Sequence, residues 1–198
     1  FGVSRYQGRS YYGGNYQTNN DNNYQLFSGG GMDFVILHLD YCPPAAVVTW
    51  ASSILQSFPD RIGIVTTHAL LDGSGNRKAG GCVTQYLWDG LAVPNPNLRF
   101  MLAGHISNES RRTDSVNGRT VHQMLADYQE RTNGGNGWLR ILRFVPADNK
   151  VYVQTYSPTL GTFETDANSQ FSLDFTMSSS FQNVGSVNLL EGSDAEII

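Results

Sequence analysis

Three short apolar runs constrain the fold of this chain more than any other feature of its sequence. They occupy residues 34–39, 62–67 and 98–103. Apolar runs without polar alternation are typical of strands that are covered on both faces in a layered sheet. Between the first two runs, a Pro-Pro pair precedes apolar residues at helical spacing over 45–55, which predicts a strand–helix–strand unit. The sequence therefore predicts an α/β chain built on neighbouring strands.

From residue 119 onward the pattern changes to β. Strands are predicted over 121–128, 138–145 and 150–156, and alternation of apolar and polar residues over 171–175 predicts a half-buried strand. Residues 178–198 lose this periodicity and are predicted to be a linker or the start of a following module. The fold class is thus α/β (α+β).

A histidine opens the polar loop after each of two predicted strands. His68 follows the run over 62–67, and His105 follows the run over 98–103 and one glycine. Ligands and catalytic groups in such sheets collect beyond the carboxyl ends of the strands. A single histidine in this position is more often a loop residue than a ligand, but two in the same topological position can converge on one metal ion.

Three other polar residues are candidates for structural roles. His38 lies in the middle of the strand over 34–39, and His122 lies inside the strand over 121–128. Neither histidine lies in a loop that would leave its imidazole free to bind a ligand. Asp72 lies in the Gly-rich loop after His68 and is either a metal ligand or a turn former, and an Asp before Gly favours the turn.

At its two strand-ending histidines the chain resembles the calcineurin-like metallophosphoesterases. Thr67 and His68 match a strand that ends in Thr-His in that family, and Gly104 and His105 match the start of its Gly-His-x-His element. Three downstream stretches resemble the end of a secreted bacterial branch of the family: 121–129, 134–140 and 155–158. The resemblance covers residues 1–177, which it identifies as the C-terminal portion of the phosphoesterase domain.

The resemblance implies a fold, a site and an activity. The fold is two mixed β-sheets packed as a sandwich and flanked by helices. His68 and His105 bind the same ion of a two-metal site for divalent transition metals, whether Mn, Fe or Zn. The activity is hydrolysis of a small-molecule or polymer phosphoester by a metal-activated water. The location implied is secreted, periplasmic or at the bacterial cell surface.

The chain departs from the family pattern in two ways. The family's first three blocks, Asp-x-His, Gly-Asp-x-x and Gly-Asn-His-Asp/Glu, do not occur in the 198 residues. The expectation is therefore a fragment that lacks the N-terminal half of a longer protein and has little or no activity alone. The second departure is Ser107, which stands where the family has the second histidine of Gly-His-x-His, with Asn108 or Glu109 as replacement ligands.

Charge and composition argue against two kinds of partner, and one arginine is a further candidate for substrate binding. A net charge of -4 and a pI near 5.5 argue against nucleic acid, and no run reaches the roughly 20 apolar residues of a membrane span. Arg111 is either solvated surface or a contact for a substrate phosphate, which arginine binds well. The sequence gives no oligomeric state.

The N-terminal aromatic segment and the cysteines leave alternatives open. Residues 1–33 are rich in Tyr, Gly and Asn and are either an ordered surface loop or a wall of the substrate pocket, with Tyr12 as the substrate-binding candidate. Cys42 and Cys82 either form a disulfide or are small buried residues. The alternative function for the whole chain is a secreted, non-catalytic binding or scaffold module.

Overall fold

The computed structural model describes residues 2–177 and the backbone of 195–197. Its first sheet has seven strands in the order β1-β2-β3-β4-β5-β7-β6. Their bounds are β1 Tyr12–Asn15, β2 Asn23–Gly29, β3 Met32–Leu39, β4 Ile62–Thr67, β5 Leu98–Ala103, β6 Glu109–Val116 and β7 Arg119–Ala126. The neighbours β3, β4, β5 and β7 run parallel, and the remaining strands add antiparallel pairs at the two edges. Four strand ends therefore meet at one edge of this sheet.

The helices of the first half pack against the outer face of this sheet. Helix α1 is Ala45–Ser57, and α2, Gln85–Leu87, continues as a π-helical turn over Trp88–Ala92. Val48, Leu55 and Leu91 belong to the buried cluster on this face. The predicted strands and the helix over 45–55 are confirmed, because continuous apolar runs and helical spacing both match a sheet face covered by helices.

The second sheet has strands in the order β10-β9-β8-β12, with β11 paired to β9. Its strands are β8 Leu139–Val145, β9 Lys150–Ser157, β10 Thr162–Glu164, β11 Phe171–Asp174 and β12 Ala195–Ile197. All of these pairs are antiparallel, so the expectation of two mixed sheets is wrong for this one. The physical reason is the short connection Pro146–Asp148, a 3-10 turn that returns the chain directly from β8 to β9.

The two sheets share one aromatic core. Phe34 and Phe100 of the first sheet contact Phe144 of the second, with ring centroids 5.2 and 5.3 Å apart in edge-to-face geometry. The same buried cluster contains Met124 and Val153. The sandwich is thus present, but within 2–177 the helices longer than one turn lie on the first sheet only; the others are single turns at Val3–Arg5, Thr132–Gly135 and Pro146–Asp148.

Two hairpins differ from the sequence-based expectation. Residues 1–33 do not form a single surface loop, because β2 pairs with β3 over seven residues through a turn at Gly30 and Gly31. Both glycines have positive φ, 58° and 75°, as a two-residue type I′ turn requires. Strand β6 was also not expected, and it joins β7 through Asn117 and Gly118, which again have positive φ.

The last segment and the cysteines complete the fold. The linker predicted over 178–198 lies outside the described residues, except that Ala195–Ile197 pairs with β8 as a strand.

Cys42 and Cys82 form a disulfide with Cα atoms 5.5 Å apart, which decides between the two alternatives for them. No helix in the described part of the chain is long and apolar enough to span a membrane.

Candidate functional site

Each of the four parallel strands is followed by a polar residue at the same edge of the sheet. Asp40 follows β3, His68 follows β4, His105 follows β5 after one glycine, and Asp127 follows β7. Because the strands are parallel neighbours, these residues are carried to one edge by the sheet itself. This edge is the candidate site.

The structure brings the two predicted histidines into direct contact. Nδ1 of His105 lies 3.0 Å from Nε2 of His68, and the ring centroids are 4.8 Å apart. The backbone supports this approach, since the Gly104 N–H donates to the His68 carbonyl at 3.2 Å. The pairing of Thr67 with Ala103 in β4 and β5 places the two loops side by side.

His105 is held in an uncommon backbone conformation. Its φ is +74°, in the left-handed region, which is uncommon for residues other than Gly although His is enriched there together with Asn and Asp. Such conformations persist where the surrounding structure holds them, and they cluster at functional sites. The conformation at His105 turns the chain sharply after β5, at the point where the imidazole meets His68.

The surroundings favour neutral imidazole at His105. Burial lowers the pKa of His105 from its ordinary value of 6.5, and the charge of Lys78 and the neighbouring His68 lower it further, whereas Asp127 acts in the opposite direction. A neutral ring keeps a lone pair on one nitrogen, which metal binding requires. Tyr41 covers the pair, with its ring centroid 5.3 Å from His68 and 5.2 Å from His105.

The separation of the two ring nitrogens can be compared with that of two ligands of one cation. Two imidazole nitrogens bound tetrahedrally to Zn²⁺ at about 2.0–2.1 Å are about 3.3 Å apart. The observed 3.0 Å is shorter than this and is the length of a hydrogen bond between the two rings, which a shared ion would have to replace. Within residues 2–177 no third His, Cys, Asp or Glu completes this pair as a cluster of three.

Glu109 is not a replacement ligand for this pair. The Asn108 side-chain oxygen accepts the Glu109 N–H at 2.8 Å, and the Glu109 carboxylate is buried beside Arg131 and Arg140. The expectation that Glu109 substitutes for the histidine missing at Ser107 is therefore wrong. The reason is that β6 begins at Glu109 and turns its side chain toward the second sheet, where Tyr128 and Thr155 donate to it.

Three acidic residues form a second group that could hold a cation. Ligand oxygens of Glu109, Glu164 and Asp166 lie within 4.8 Å of one another. Arg131 already occupies this group, with 2.8 Å bonds to both Glu164 oxygens and a 2.7 Å bond to Glu109. A metal ion would have to displace a bidentate guanidinium, so we interpret the group as an ion-pair network.

A cleft of about 510 Å³ lies beside the histidine pair, on the inner face of the first sheet. Thr67 and Gly104, which directly precede the two histidine positions, line its upper end, and Arg140 lines it from the second sheet. His38 also faces this cleft, with Nδ1 2.8 Å from the Thr66 hydroxyl, which confirms it as a sheet-face residue. No apolar or histidine pattern in the sequence indicated the cleft, because strands from both sheets form it.

Tyr12 and Arg111 are the two candidates for substrate binding. They belong to β1 and β6, the two opposite edge strands of the seven-stranded sheet. The Tyr12 hydroxyl donates to Asn20 at 2.7 Å, and the Arg111 guanidinium stacks 3.9 Å from the centre of the Phe171 ring. Tyr12 lines a small pocket with Gln25 and His38, two residues that also line the cleft beside the histidine pair. The binding roles of Tyr12 and Arg111 stay predictions.

The other two sequence-based assignments are confirmed. Asp72 forms a turn, since its Oδ1 accepts the N–H groups of Ser74 and Asn76 at 2.9 Å. His122 is buried and structural, with Nδ1 2.9 Å from the Thr113 hydroxyl and Nε2 3.1 Å from the Asp174 carbonyl. Sequence reasoning did not indicate Tyr41 or Asp127, although each lies within one or two residues of a predicted strand end.

No family model matches the chain. The chain is 38% identical over 165 residues to "Uncharacterized protein YvnB" of Bacillus subtilis (strain 168), a match that covers 80% of this chain and 12% of that protein. Of the solved structures, "GAP50 the anchor in the inner membrane complex of Plasmodium" matches at 11% identity and a TM-score of 0.42, over 89% of this chain and 68% of the other. A "Putative 5'-Nucleotidase from Staphylococcus aureus in complex with alpha-ketoglutarate" matches at 12% identity and a TM-score of 0.34, over 87% and 33%. At these TM-scores the likenesses carry no argument, and the match to YvnB spans about an eighth of its length.

Proposed function

We propose that this chain supplies His68 and His105 as two ligands of one divalent transition metal in a phosphoesterase. The observation that carries the proposal is the 3.0 Å approach of their ring nitrogens at the ends of neighbouring parallel strands. The resemblance of Thr67-His68 and Gly104-His105 to metallophosphoesterase elements supports the same role. The substrate class is a phosphoester of a small molecule or a polymer.

The chain's own residues position the two ligands. The two parallel strands fix the backbones, and the Gly104 N–H bond to the His68 carbonyl keeps the two loops together. A bound divalent metal supplies Lewis-acid chemistry at a phosphoryl oxygen and lowers the pKa of a coordinated water. Imidazole suits Mn, Fe and Zn alike, so the two histidines do not select the metal.

Catalysis in this proposal depends on ligands beyond the pair. Catalytic metal sites of the zinc type use three protein ligands with an open position, and the pair supplies two. We therefore place the remaining ligands elsewhere in the longer protein and expect the 198 residues alone to hydrolyse phosphoesters weakly or not at all. The disulfide Cys42–Cys82 supports a secreted, periplasmic or cell-surface location, because disulfides persist in oxidising compartments.

The test is hydrolysis of p-nitrophenyl phosphate and bis-p-nitrophenyl phosphate by the protein as its native host makes it. We expect His68→Gln and His105→Gln each to lower kcat/KM by about a hundredfold or more, since metal sites lose 10–100-fold even when only a supporting residue is changed. His122→Gln is the matched control, because its ring is buried against Thr113 and Asp174 in the middle of β7. Equal activity in all three variants would reject the proposal and favour the binding or scaffold module.

A further inference from the structure

Two loops meet over the histidine pair, and a disulfide joins them. One loop follows β3 and carries Tyr41 and Cys42, and the other, over 69–84, follows His68 and carries Lys78 and Cys82. Within the second loop the Lys78 N–H donates to the Leu70 carbonyl at 3.0 Å. Thr84 closes the same loop by donating its N–H to the Lys78 carbonyl at 2.9 Å. The backbone of Lys78 is therefore fixed on both sides.

The side chains of Tyr41 and Lys78 converge at the rim of the site. A Cβ atom at Gly81 would lie 3.8 Å from the Tyr41 hydroxyl and 3.9 Å from the Lys78 ammonium, so the two polar groups flank one point. The Lys78 nitrogen is 6.0 Å from the centre of the Tyr41 ring, which in turn contacts both histidines. The hydroxyl and the ammonium are thus neighbours of each other and of the pair.

Neither group has a hydrogen-bonding partner within residues 2–177. Within this part of the chain Lys78 forms no ion pair, whereas Lys150 pairs with Asp174 at 2.6 Å. These are the two lysines of the chain. No carboxylate of the described residues pairs with Lys78, so its ammonium charge is available to an anion at this rim.

We propose that Tyr41 and Lys78 form an anion-binding rim that holds the non-reacting oxygens of a phosphate group at the histidine site. The proposal rests on the proposed function for its reaction, but the rim is defined by binding and is tested by binding. Lysine is a point-charge phosphate binder, and the tyrosine hydroxyl adds one hydrogen bond. The disulfide is the positioning element, since it ties the loop of Tyr41 to the loop of Lys78.

The experiment is a calorimetric titration of the 198-residue chain with inorganic phosphate at low salt, with and without Mn²⁺. We expect Lys78→Gln to weaken phosphate binding by about fivefold and Tyr41→Phe by about twofold, sizes typical of one partly exposed charged contact and one neutral hydrogen bond. Lys78→Arg should restore most of the affinity, because it keeps the charge. Lys150→Gln is the matched control and should bind as the wild type does.

The outcomes separate the rim from the metal site. Phosphate affinity that falls in Lys78→Gln while Mn²⁺ affinity is kept supports the rim. If the chain binds no Mn²⁺ but phosphate binding still depends on Lys78, the anion-binding role of Lys78 is supported and the proposed metal site is rejected. Phosphate affinity that is equal in wild type and Lys78→Gln, or absent in both, overturns the rim whatever the metal does.

Discussion

Replacement of Glu109 by alanine is expected to lower the free energy of unfolding by about 3–5 kcal/mol, the size typical of removing one partner from a buried ion pair. The side chains of Glu109 and Arg140 are 5% and 7% exposed and are directly paired. Arg131 adds a second guanidinium at 2.7 Å. Loss of the carboxylate leaves the Arg140 charge buried without compensation, and it also removes the acceptor for Tyr128.

Urea unfolding monitored by circular dichroism at pH 7 measures this change. Glu164→Ala is the matched control, since this carboxylate pairs with Arg131 in a partly exposed position, where an ion pair is worth less than about 1 kcal/mol. If Glu109→Ala were no more destabilising than Glu164→Ala, the buried network would not hold β6 to the second sheet as described.

The same network makes the free energy of unfolding depend on pH, and the direction of the change follows from the pKa of Glu109. Burial tends to raise the pKa of Glu109, but the hydrogen bond from Ser169 and the charge of Arg140 outweigh it and lower the pKa below its ordinary 4.5. A depressed acid pKa stabilises the folded state above the ordinary value, and this stabilisation is lost as the pH falls through the folded pKa. The difference in stability between wild type and Glu109→Ala should therefore shrink below pH 4.5.

Removal of the disulfide with Cys42→Ser and Cys82→Ser is expected to lower the free energy of unfolding by about 4 kcal/mol. The estimate follows from the entropy of closing a loop with a sequence separation of 40 residues in the unfolded chain. Equilibrium urea unfolding of the double variant measures it, and wild type unfolded under reducing conditions is the control and should lose the same amount. A loss below about 1 kcal/mol would contradict the loop-closure account, in which the disulfide acts by restricting the unfolded chain.

The central parallel strands could be predicted because their signal is local. Apolar runs over 34–39, 62–67 and 98–103 match strands that are buried on both faces, and the position of His68 and His105 follows from where those runs end. Their mutual contact required one further step, that β4 and β5 are adjacent, and the strand–helix–strand unit predicted from the sequence covers only β3 and β4.

The remaining features depend on tertiary contacts. β6 is polar on its exposed side, so its residues look like a loop, although the Asn117-Gly118 pair is a recognised hairpin signal. Glu109 looked like a loop residue and is instead buried by side chains that are up to 60 positions away, as its bond from Ser169 shows. Tyr41 is brought to the histidines by the packing of its loop, for which the sequence around it carries no periodic pattern.

The measurement that tests the central claim most directly is Co²⁺ binding to the 198-residue chain, followed by its visible absorption and by calorimetry. We expect one equivalent to bind to wild type and to His122→Gln, and none to bind to the double variant His68→Gln/His105→Gln. Glu164→Gln/Asp166→Asn should bind as wild type does, because Arg131 occupies the acidic group. Undiminished binding by the histidine double variant, or loss of binding in the acidic variant alone, would contradict the assignment of the metal site to His68 and His105.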